Sequence, residues 1–300
     1  MVAALPVWLE FYKDELFNHE IKEELLSMSA ATIDRYLRQY KASVFRRKRT
    51  GTRPGKMLKN VIPIKSFDFK AHGPGHVEAD TVAHCGTSLS GTFIWTVTFT
   101  DVYSGWTENR AIWSKHTDDV LSALIDFRQK APFEVLSFNT DNGTEFLSQK
   151  IMHHLSCDEN QRKVLFTRSR AYKKNDNCHV EQKNWTHVRE IFGYDRFDNE
   201  DLVPMMNEIY TKYYNVLSNF FVPQLKLVQK TRVGAKYKRK YDSPMTPYQR
   251  LIQSQDLSMR QKDALKRKYE SLNPFSLKRD CQSVMSRFKS IYQNQLKLAA

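Results

Sequence analysis

Long apolar segments are missing from this sequence: no hydrophobic run reaches the roughly 18 residues that a membrane-spanning helix requires. The first residues, MVAALPVWLEFYKDEL, have no basic region and acquire charge too early for a secretory signal peptide. We therefore expect a cytoplasmic protein that does not act in a membrane.

Paired cysteines are also missing. The four cysteines form no CxxC pair, and the nine histidines show no spacing typical of a His/Cys zinc knuckle. The pattern argues against a disulfide framework and against a zinc site of this kind. Hydrophobic residues nevertheless make up 41% of the 300 residues, which is typical of a globular protein with a sizeable core.

Basic residues are in clear excess, with 47 Lys and Arg against 33 Asp and Glu and a net charge of +14. Such a charge favours a polyanionic partner, nucleic acid before an anionic membrane surface. Residues 41–60 hold eight Lys and Arg, no acid, and Gly and Pro interruptions. A solvated charge run is the usual explanation, but we interpret the segment as a linker that contacts phosphates. Its predicted contacts are Arg46, Arg47, Lys48 and Arg49.

A second basic segment, residues 225–241, holds seven Lys and Arg and again no acid, with Tyr237 and Tyr241 interleaved. Basic residues alternating with aromatic ones suit contact with a nucleic-acid backbone together with stacking on bases or sugars. The predicted contacts are Arg232, Lys236, Lys238, Arg239 and Lys240.

Residues 19–41 predict two short helices around a small-residue turn. The apolar spacing in IKEELL and in TIDRYL gives each helix one apolar face, and Ser29 is a suitable N-cap for the second helix. This arrangement fits a DNA-binding helix-turn-helix, in which Arg35 and Arg38 would face a groove. An ordinary helical hairpin fits the spacing equally well.

Residues 76–168 predict an α/β fold. HVEADTVAH, TFIWTVTFTD and WTENRAIW have strand patterns, and TDDVLSALIDFRQK has helical spacing. The short apolar strands in FEVLSF and KVLFTR follow, with a helix predicted over TEFLSQKIMHHL between them. This order indicates a mixed sheet with flanking helices.

Three carboxylates stand out by position. Asp80 lies inside the first strand, Asp141 follows the fourth strand, and Glu181 lies near the start of the helical segment NCHVEQKNWTHVREIF. Carboxylates that converge at one sheet edge repel each other, and divalent cations relieve the repulsion. Ligands that are all oxygen suit Mg²⁺ or Mn²⁺. Two such ions are the usual arrangement for in-line attack at a phosphodiester.

The motifs VEADT, TDNGTEF and VEQKN resemble those of the DDE-type transposases and retroviral-type integrases, and DVYSGW resembles a recurring turn of that group. The flanking helical and basic segments resemble those of bacterial insertion-sequence transposases, so the resemblance covers nearly the whole chain. It implies a ribonuclease H-like core with a mixed five-stranded sheet, an N-terminal helix-turn-helix and a C-terminal basic module. It also implies that Asp80, Asp141 and Glu181 are the catalytic, metal-binding residues, and that Asn184 faces the site.

The implied reaction is metal-dependent DNA strand cleavage and strand transfer, with two Mg²⁺ or Mn²⁺ ions as cofactors. The implied partner of the protein is double-stranded DNA, which includes the element ends and the target. Because two ends must be joined, a homo-oligomer on DNA is implied. Its implied location is the nucleoid in the cytoplasm. Asp176 is a rival to Glu181, but it better suits a loop or a helix cap. Lys173, Lys174, Lys183 and Arg189 are candidate phosphate contacts, with simple solvation as the alternative for the first two.

Three further acids have structural explanations. Asp101, in a predicted hairpin, is expected to hydrogen-bond its own turn. Glu145 is expected to begin the helix after Asp141, where a carboxylate favours the positive end of the helix dipole. Glu78 should share the strand face of Asp80, because alternate residues of a strand point the same way.

The predicted organisation has four parts: residues 1–42 as the helix-turn-helix region, 43–70 as the basic linker, 71–222 as the catalytic core and 223–300 as the basic and helical C-terminal region. Two other functions fit parts of the pattern. One is a ribonuclease H-like nuclease that uses water alone, and the other is a catalytically inactive, transposase-derived DNA-binding protein.

Overall fold

The computed structural model describes residues 2–14, 17–41, 73–141, 143, 145–156, 163–169, 178–233 and 236–299. Within these ranges no helix combines the length and the apolarity that crossing a bilayer would need.

A mixed sheet of five strands forms the centre of the protein. The strands are β1 (His76–Ala83), β2 (Trp95–Asp101), β3 (Thr107–Ile112), β4 (Ser137–Thr140) and β5 (Leu165–Arg168). They lie in the order β3-β2-β1-β4-β5, with β1–β2 and β2–β3 antiparallel and β1–β4 and β4–β5 parallel. The predicted α/β fold with a five-stranded mixed sheet is confirmed.

Twelve α-helices are seen in the described ranges. They are α1 (Leu5–Leu9), α2 (His19–Ser27), α3 (Ala30–Lys41), α4 (Thr117–Lys130), α5 (Gln149–Ser156), α6 (Cys178–Lys183), α7 (Glu190–Phe192), α8 (Leu202–Glu208), α9 (Asn215–Phe221), α10 (Pro247–Gln253), α11 (Met259–Glu270) and α12 (Pro274–Ala299). Two π-helical segments, Asn184–Arg189 and Ile209–Tyr214, join α6 to α7 and α8 to α9. We call residues 178–192 the glutamate helix and residues 202–221 the covering helix.

The two faces of the sheet differ in chemistry because β2 alternates threonine with apolar residues. Val97 and Phe99 point to the face under α4, where the rings of Phe99 and Phe127 stack with centroids 4.6 Å apart. Burying each phenylalanine stabilises the fold by roughly 1.5–3 kcal/mol. The opposite face is polar: Asp80, Thr98 and Asn109 are paired in one row across three strands.

The covering helix protects the β3 edge of the sheet with asparagine side chains. The Asn219 amide accepts from the Thr107 N–H at 2.9 Å and donates to the Thr107 C=O at 2.8 Å. Asn207 makes the same pair of bonds to Ala111, both at 2.8 Å. Because an open edge strand invites pairing with another chain, these amides take the place of a sixth strand.

The N-terminal helix α1 packs on the C-terminal part of the chain. Trp8 Nε1 donates to the Phe221 carbonyl at 2.9 Å, and the Phe11 ring makes edge contacts with Phe221 and Tyr269. Leu265 on α11 is buried in the same core as α4, and Phe288 on α12 is buried in a second core. Segments from both ends of the chain therefore complete the cores around the sheet.

A two-stranded antiparallel ribbon projects from this body. It consists of β6 (Leu227–Val233) and β7 (Lys236–Tyr241), and its residues beyond Leu227 are exposed on both faces. A pair of hydrogen bonds holds its base, where Lys226 N–H donates to Asp242 Oδ1 at 2.7 Å and Asp242 N–H donates to the Lys226 carbonyl at 3.0 Å. We call residues 227–241 the basic ribbon.

Two predicted turn features are confirmed. Ser29 caps α3, since its Oγ accepts from the Thr32 N–H at 3.2 Å. Asp101 is buried, and its carboxylate accepts from Gly75 N–H at 2.8 Å and Ser104 N–H at 2.7 Å. Helices α2 and α3 form at the predicted positions, while their role as a DNA-binding helix-turn-helix and the four domain boundaries stay predictions.

Candidate active site

Strand register brings Asp80 and Asp141 together. In the parallel pair β1–β4, Ala79 lies opposite Thr140; Asp80 is the next residue of β1, and Asp141 is the first residue after β4. Parallel strands carry their residues in the same direction, which brings Asp141 near Asp80. The charge of Asp141 accordingly acts on the Asp80 carboxylate.

Asp80 is held by two hydrogen bonds. Its Oδ1 accepts from the Thr81 N–H at 2.8 Å, and its Oδ2 accepts from the Asn184 amide Nδ2 at 2.6 Å. Burial, then the charge of Asp141 and to a smaller extent that of Glu181, raises the pKa of Asp80 to about 7. The two hydrogen bonds act in the opposite direction, since they stabilise the charged form. The shift shows that the three predicted acids lie within electrostatic reach of one another.

Glu181 lies in the first turn of the glutamate helix and is exposed. The start of this helix is fixed by Glu78, whose Oε2 accepts from the N–H groups of His179 and Val180, each at 3.1 Å. Glu78 is buried and shares the face of Asp80, as predicted from the strand alternation. The helix is therefore bonded to β1 at two places: before Glu181, through Glu78, and after Glu181, through the bond from Asn184 to Asp80.

Glu145 has a different place from the one predicted. The helix after Asp141 begins at Gln149, so Glu145 lies in the preceding turn and does not face the helix dipole. Its buried carboxylate accepts from Thr81 Oγ1 at 2.9 Å and lies 3.5 Å from Lys115 Nζ. The apolar spacing after Asp141 could not show this, because both partners come from distant parts of the sequence.

Gly143 lies between the side chains of Asp141 and Glu145. Asp141 Oδ1 accepts from the Gly143 N–H at 2.8 Å. A Cβ atom added at Gly143 would lie 2.8 Å from Asp141 Oδ1 and 2.8 Å from Glu145 Oε2, so a larger residue here would displace one of these carboxylates. Asp141 therefore makes a hydrogen bond within its own turn in addition to lying near Asp80.

The described residues contain no group of three or more His, Cys, Asp or Glu side chains arranged to hold a metal ion. The donor set nevertheless suits a hard divalent cation. Asp80, Asp141 and Glu181 offer oxygen alone, and the pKa of Asp80 is raised by burial and, to a smaller extent, by the negative charges of Asp141 and Glu181, which a cation would offset. Asn184 Oδ1, beside Asp80, is buried and accepts no hydrogen bond within the described part of the chain.

Two predicted DNA contacts on the glutamate helix make contacts within the protein. Lys183 is buried, and its Nζ donates to Gln224 Oε1 at 2.6 Å. Burial, with the charge of Arg250, lowers the pKa of Lys183 to about 7. Arg189 donates to the Ala83 carbonyl at 3.0 Å and lies over the Tyr194 ring. Contact of Lys183 with a phosphate would require its bond to Gln224 to break.

The other predicted contacts divide into exposed residues and residues outside the described ranges. Arg35 and Arg38 are exposed on α3. Arg232, Lys236, Lys238, Arg239 and Lys240 are exposed on the basic ribbon. The remaining candidates lie outside the described residues: Arg46, Arg47, Lys48, Arg49, Lys173 and Lys174, as does the rival acid Asp176.

Comparisons with known proteins show which sequences and structures this chain is similar to. Residues 71–172 match the family model described as the integrase core domain; the match contains Asp80 and Asp141 and ends before Glu181. The protein y4rM of Sinorhizobium fredii (strain NBRC 101917 / NGR234), described as uncharacterized, is 35% identical to this chain over 234 residues. That alignment covers 77% of this chain, which spans 65% of the length of y4rM.

Solved structures similar to parts of the chain include three from retroviruses. The HTLV-2 integrase catalytic core domain in complex with magnesium is 18% identical, with a TM-score of 0.30, covering 38% of this chain and 68% of that one. The catalytic core domain of BIV integrase is 21% identical, with a TM-score of 0.28, covering 37% and 64%. The simian T-cell lymphotropic virus intasome with PP2A regulatory subunit B56 gamma is 15% identical, with a TM-score of 0.31, covering 61% and 57%.

Proposed function

We propose that this protein is a DDE-type integrase or transposase that cleaves DNA and joins a 3′-hydroxyl end to a target strand, because residues 71–172 match the integrase core domain. The observation that carries the proposal is the parallel pair Ala79–Thr140, each followed by one of the two aspartates, with the glutamate helix bonded to Asp80. The reaction is a polynucleotidyl transfer in which a 3′-hydroxyl attacks a phosphodiester.

Asp80, Asp141 and Glu181 would hold two Mg²⁺ or Mn²⁺ ions. Such ions, when bound, lower the pKa of the attacking hydroxyl or water and stabilise charge on the departing oxygen. The support for this assignment is the all-oxygen donor set and the raised pKa of Asp80, caused by burial and by the neighbouring negative charges. Glu181 is exposed, and the start of its helix is held to β1 by Glu78.

The protein groups around the acids orient them for this chemistry. Asn184 and the Thr81 N–H fix the plane of the Asp80 carboxylate, and Gly143 fixes one oxygen of Asp141. The Glu145 carboxylate, bonded to Thr81, keeps the loop after Asp141 against β1. Held in this way, the acids need little reorganisation when DNA and ions arrive, which is the main way that phosphoryl transfer is catalysed.

The DNA-contacting surface would include the basic ribbon, whose cross-strand partners share faces. Lys230 pairs with Arg239 and Arg232 with Tyr237 on one face, whereas Lys238 and Lys236 lie on the other. A ribbon that is basic on both faces suits a groove bordered by two phosphate backbones. We further propose contacts from Arg35 and Arg38, from Arg46–Arg49, and from Lys173 and Lys174, with Lys183, Asn184 and Arg189 closer to the acids.

The proposed partner is double-stranded DNA in the cytoplasm, and joining two ends implies that at least two copies of the chain act together. The DNA ends and the target DNA are the two substrates of the proposed reaction. Both are open to direct assay with the DNA that flanks the coding sequence, because an end-joining enzyme must recognise the ends of the segment it moves.

The test is a cleavage and joining assay. Purified protein with Mg²⁺ or Mn²⁺ is incubated with labelled fragments from both flanks of the coding sequence and a plasmid target, and Asp141→Asn is compared with wild type. Asp118→Asn is the matched control, because Asp118 is an exposed aspartate paired with Lys150. We expect joined products from wild type and Asp118→Asn and none from Asp141→Asn.

Other outcomes favour the alternatives. Hydrolysis without joining favours a ribonuclease H-like nuclease that uses water alone. Binding of the labelled fragments without cleavage by any variant favours an inactive, transposase-derived DNA-binding protein. Cleavage that survives Asp141→Asn contradicts the assignment of the acidic site.

A further inference from the structure

Trp185 stands out among the tryptophans by its exposure. Its side chain is 41% exposed, whereas Trp95 is 9% and Trp106 is 5% exposed. A single exposed apolar residue is common on protein surfaces and identifies nothing by itself. The position of Trp185 is what distinguishes it.

Trp185 lies on the glutamate helix beside the acidic centre. It follows Glu181 by four residues, a spacing that puts two side chains on the same side of a helix. Its neighbour Asn184 donates to Asp80 at 2.6 Å. The helix is π-helical from Asn184 onward, and π-helical segments are frequent at functional sites. A large aromatic surface therefore borders the place where the reacting phosphate would lie.

The indole ring is held in place by the protein. Its Nε1 donates to Glu190 Oε1 at 3.1 Å, and its centre lies 6.4 Å from the Tyr194 ring centre. The Arg189 guanidinium lies 4.6 Å from the centre of that same tyrosine ring. Because the single N–H of the indole is already bonded to Glu190, the ring has no further polar group with which to bind a partner.

We propose that Trp185 stacks on an unpaired nucleobase next to the reacting phosphate. The inference rests on the proposed function, because it requires DNA at the acidic site. Nucleobases are the aromatic surfaces that DNA offers, and stacking on them tolerates any sequence because every base has a π-face. In an intact duplex those faces are covered by neighbouring base pairs, so the base bound by Trp185 must be unpaired or flipped out.

The test compares binding to forked and fully paired DNA of the same sequence. The fork carries 2-aminopurine in its single-stranded arm at the junction, and all proteins carry Asp141→Asn so that the DNA stays intact. We expect Trp185→Leu to weaken binding to the fork by about 5-fold to 100-fold. Binding to the paired duplex should change by less than about 2-fold, because the phosphate contacts that dominate it are unaltered.

Two further measurements separate stacking from a structural effect. Trp185→Phe retains an aromatic ring and should bind the fork within about 3-fold of the parent, since phenylalanine also stacks on bases. Quenching of 2-aminopurine fluorescence should occur with Trp or Phe at position 185 and disappear with Leu. Tyr12→Leu is the matched control, because Tyr12 is an exposed aromatic residue on the N-terminal segment.

The outcomes distinguish failure of this inference from failure of the proposed function. If Trp185→Leu binds the fork as the parent does, or loses affinity for both DNAs alike, the stacking assignment is overturned. The cleavage and joining assay would then still support the proposed function. If the protein with Trp185 binds neither DNA, and wild type neither cleaves nor joins, both assignments fail together.

Discussion

The buried carboxylate of Glu78 on β1 accepts a hydrogen bond from the backbone N–H of Val180, one residue before Glu181, at 3.1 Å. A second bond of equal length comes from His179. The contact joins the strand of Asp80 to the helix of Glu181, and it uses the charge of the carboxylate at the positive end of that helix. The position of Glu181 relative to Asp80 thus depends on Glu78, which is not itself one of the proposed catalytic residues.

Replacing Glu78 with Gln should therefore affect both stability and catalysis. We expect the free energy of unfolding to fall by about 1–2 kcal/mol, because a charge-assisted bond becomes a neutral one. We also expect kcat for strand cleavage to fall about 10-fold to 100-fold with little change in KM, because Glu181 loses its alignment. Urea unfolding and steady-state cleavage measure the two effects.

Glu20→Gln is the control for this prediction, because Glu20 also lies in the first turn of a helix but is exposed. It should change stability by less than about 0.5 kcal/mol and leave cleavage unaltered. Cleavage by Glu78→Gln at the wild-type rate would contradict the alignment role.

His84 should make stability depend on pH. Burial, with the nearby charge of Arg189, lowers the pKa of His84 to about 3, and its Nε2 lies 2.8 Å from Thr96 Oγ1. The unfolded chain binds a proton near pH 6.5 and the folded chain does not, so stability is full above that pH. It is lost as the pH falls from about 6.5 towards 3, by about 2 kcal/mol between pH 7.5 and pH 5.

Urea unfolding at pH 7.5 and pH 5 checks the His84 prediction. His84→Gln keeps a polar side chain near Thr96 but has no titratable ring, so its stability should change less between the two pH values. An equal change in wild type and His84→Gln would show that other groups carry the pH dependence.

The asparagine contacts at the β3 edge should be essential for stability. Asn219→Leu leaves the N–H and C=O of Thr107 buried without their partners, which should cost about 2–5 kcal/mol of unfolding free energy. Amide hydrogen exchange at Thr107 should become faster in the same variant. Asn294→Leu, at an exposed position on α12, is the matched control and should be nearly neutral. Wild-type exchange at Thr107 would show that another group protects this edge.

The basic ribbon should contribute to DNA affinity in a salt-dependent manner. Changing Lys236, Lys238 and Lys240 together to Gln removes up to three phosphate contacts, so the slope of log K against log salt should flatten by about 2–3. The control changes Lys130, Lys150 and Lys212 to Gln, which alters the net charge equally but at lysines paired with acids. If both triple variants lose affinity equally, the ribbon has no specific part in binding.

Local patterns were sufficient for most of the fold. The alternation in WTVTFT predicts a strand with two chemically different faces, and the spacing in TDDVLSALIDFRQK predicts α4 over its full length. Asp80 and Asp141 could be selected because each stands at a defined point of a strand pattern. The helix after Asp141 was predicted to begin several residues before its actual start at Gln149. The reason is that apolar spacing does not distinguish a turn at Glu145 from the first turn of a helix.

The remaining features depend on contacts between distant residues. Lys183 has the sequence context of an exposed helical lysine, yet Gln224 binds it in the interior. In the sequence Asn207 and Asn219 cannot be distinguished from ordinary exposed polar residues. Their role becomes visible only in the structure, where both bond to the backbone of β3. Neither pairing leaves a signal in local composition, because the partner lies far along the chain.

By itself the sequence determined the strands of the central sheet, the helix α4 and the basic segments, because each follows from residue type and short-range spacing; it also singled out Asp80, Asp141 and Glu181 by position, and the resemblance of their motifs implied the catalytic role. Only the tertiary structure decided that Asp80 and Asp141 are neighbours in parallel strands and that Glu78 anchors the helix of Glu181. The physical reason is that strand register and burial are properties of the packed chain. Burial and the field of neighbouring charges, not residue type, raise the pKa of Asp80 to about 7.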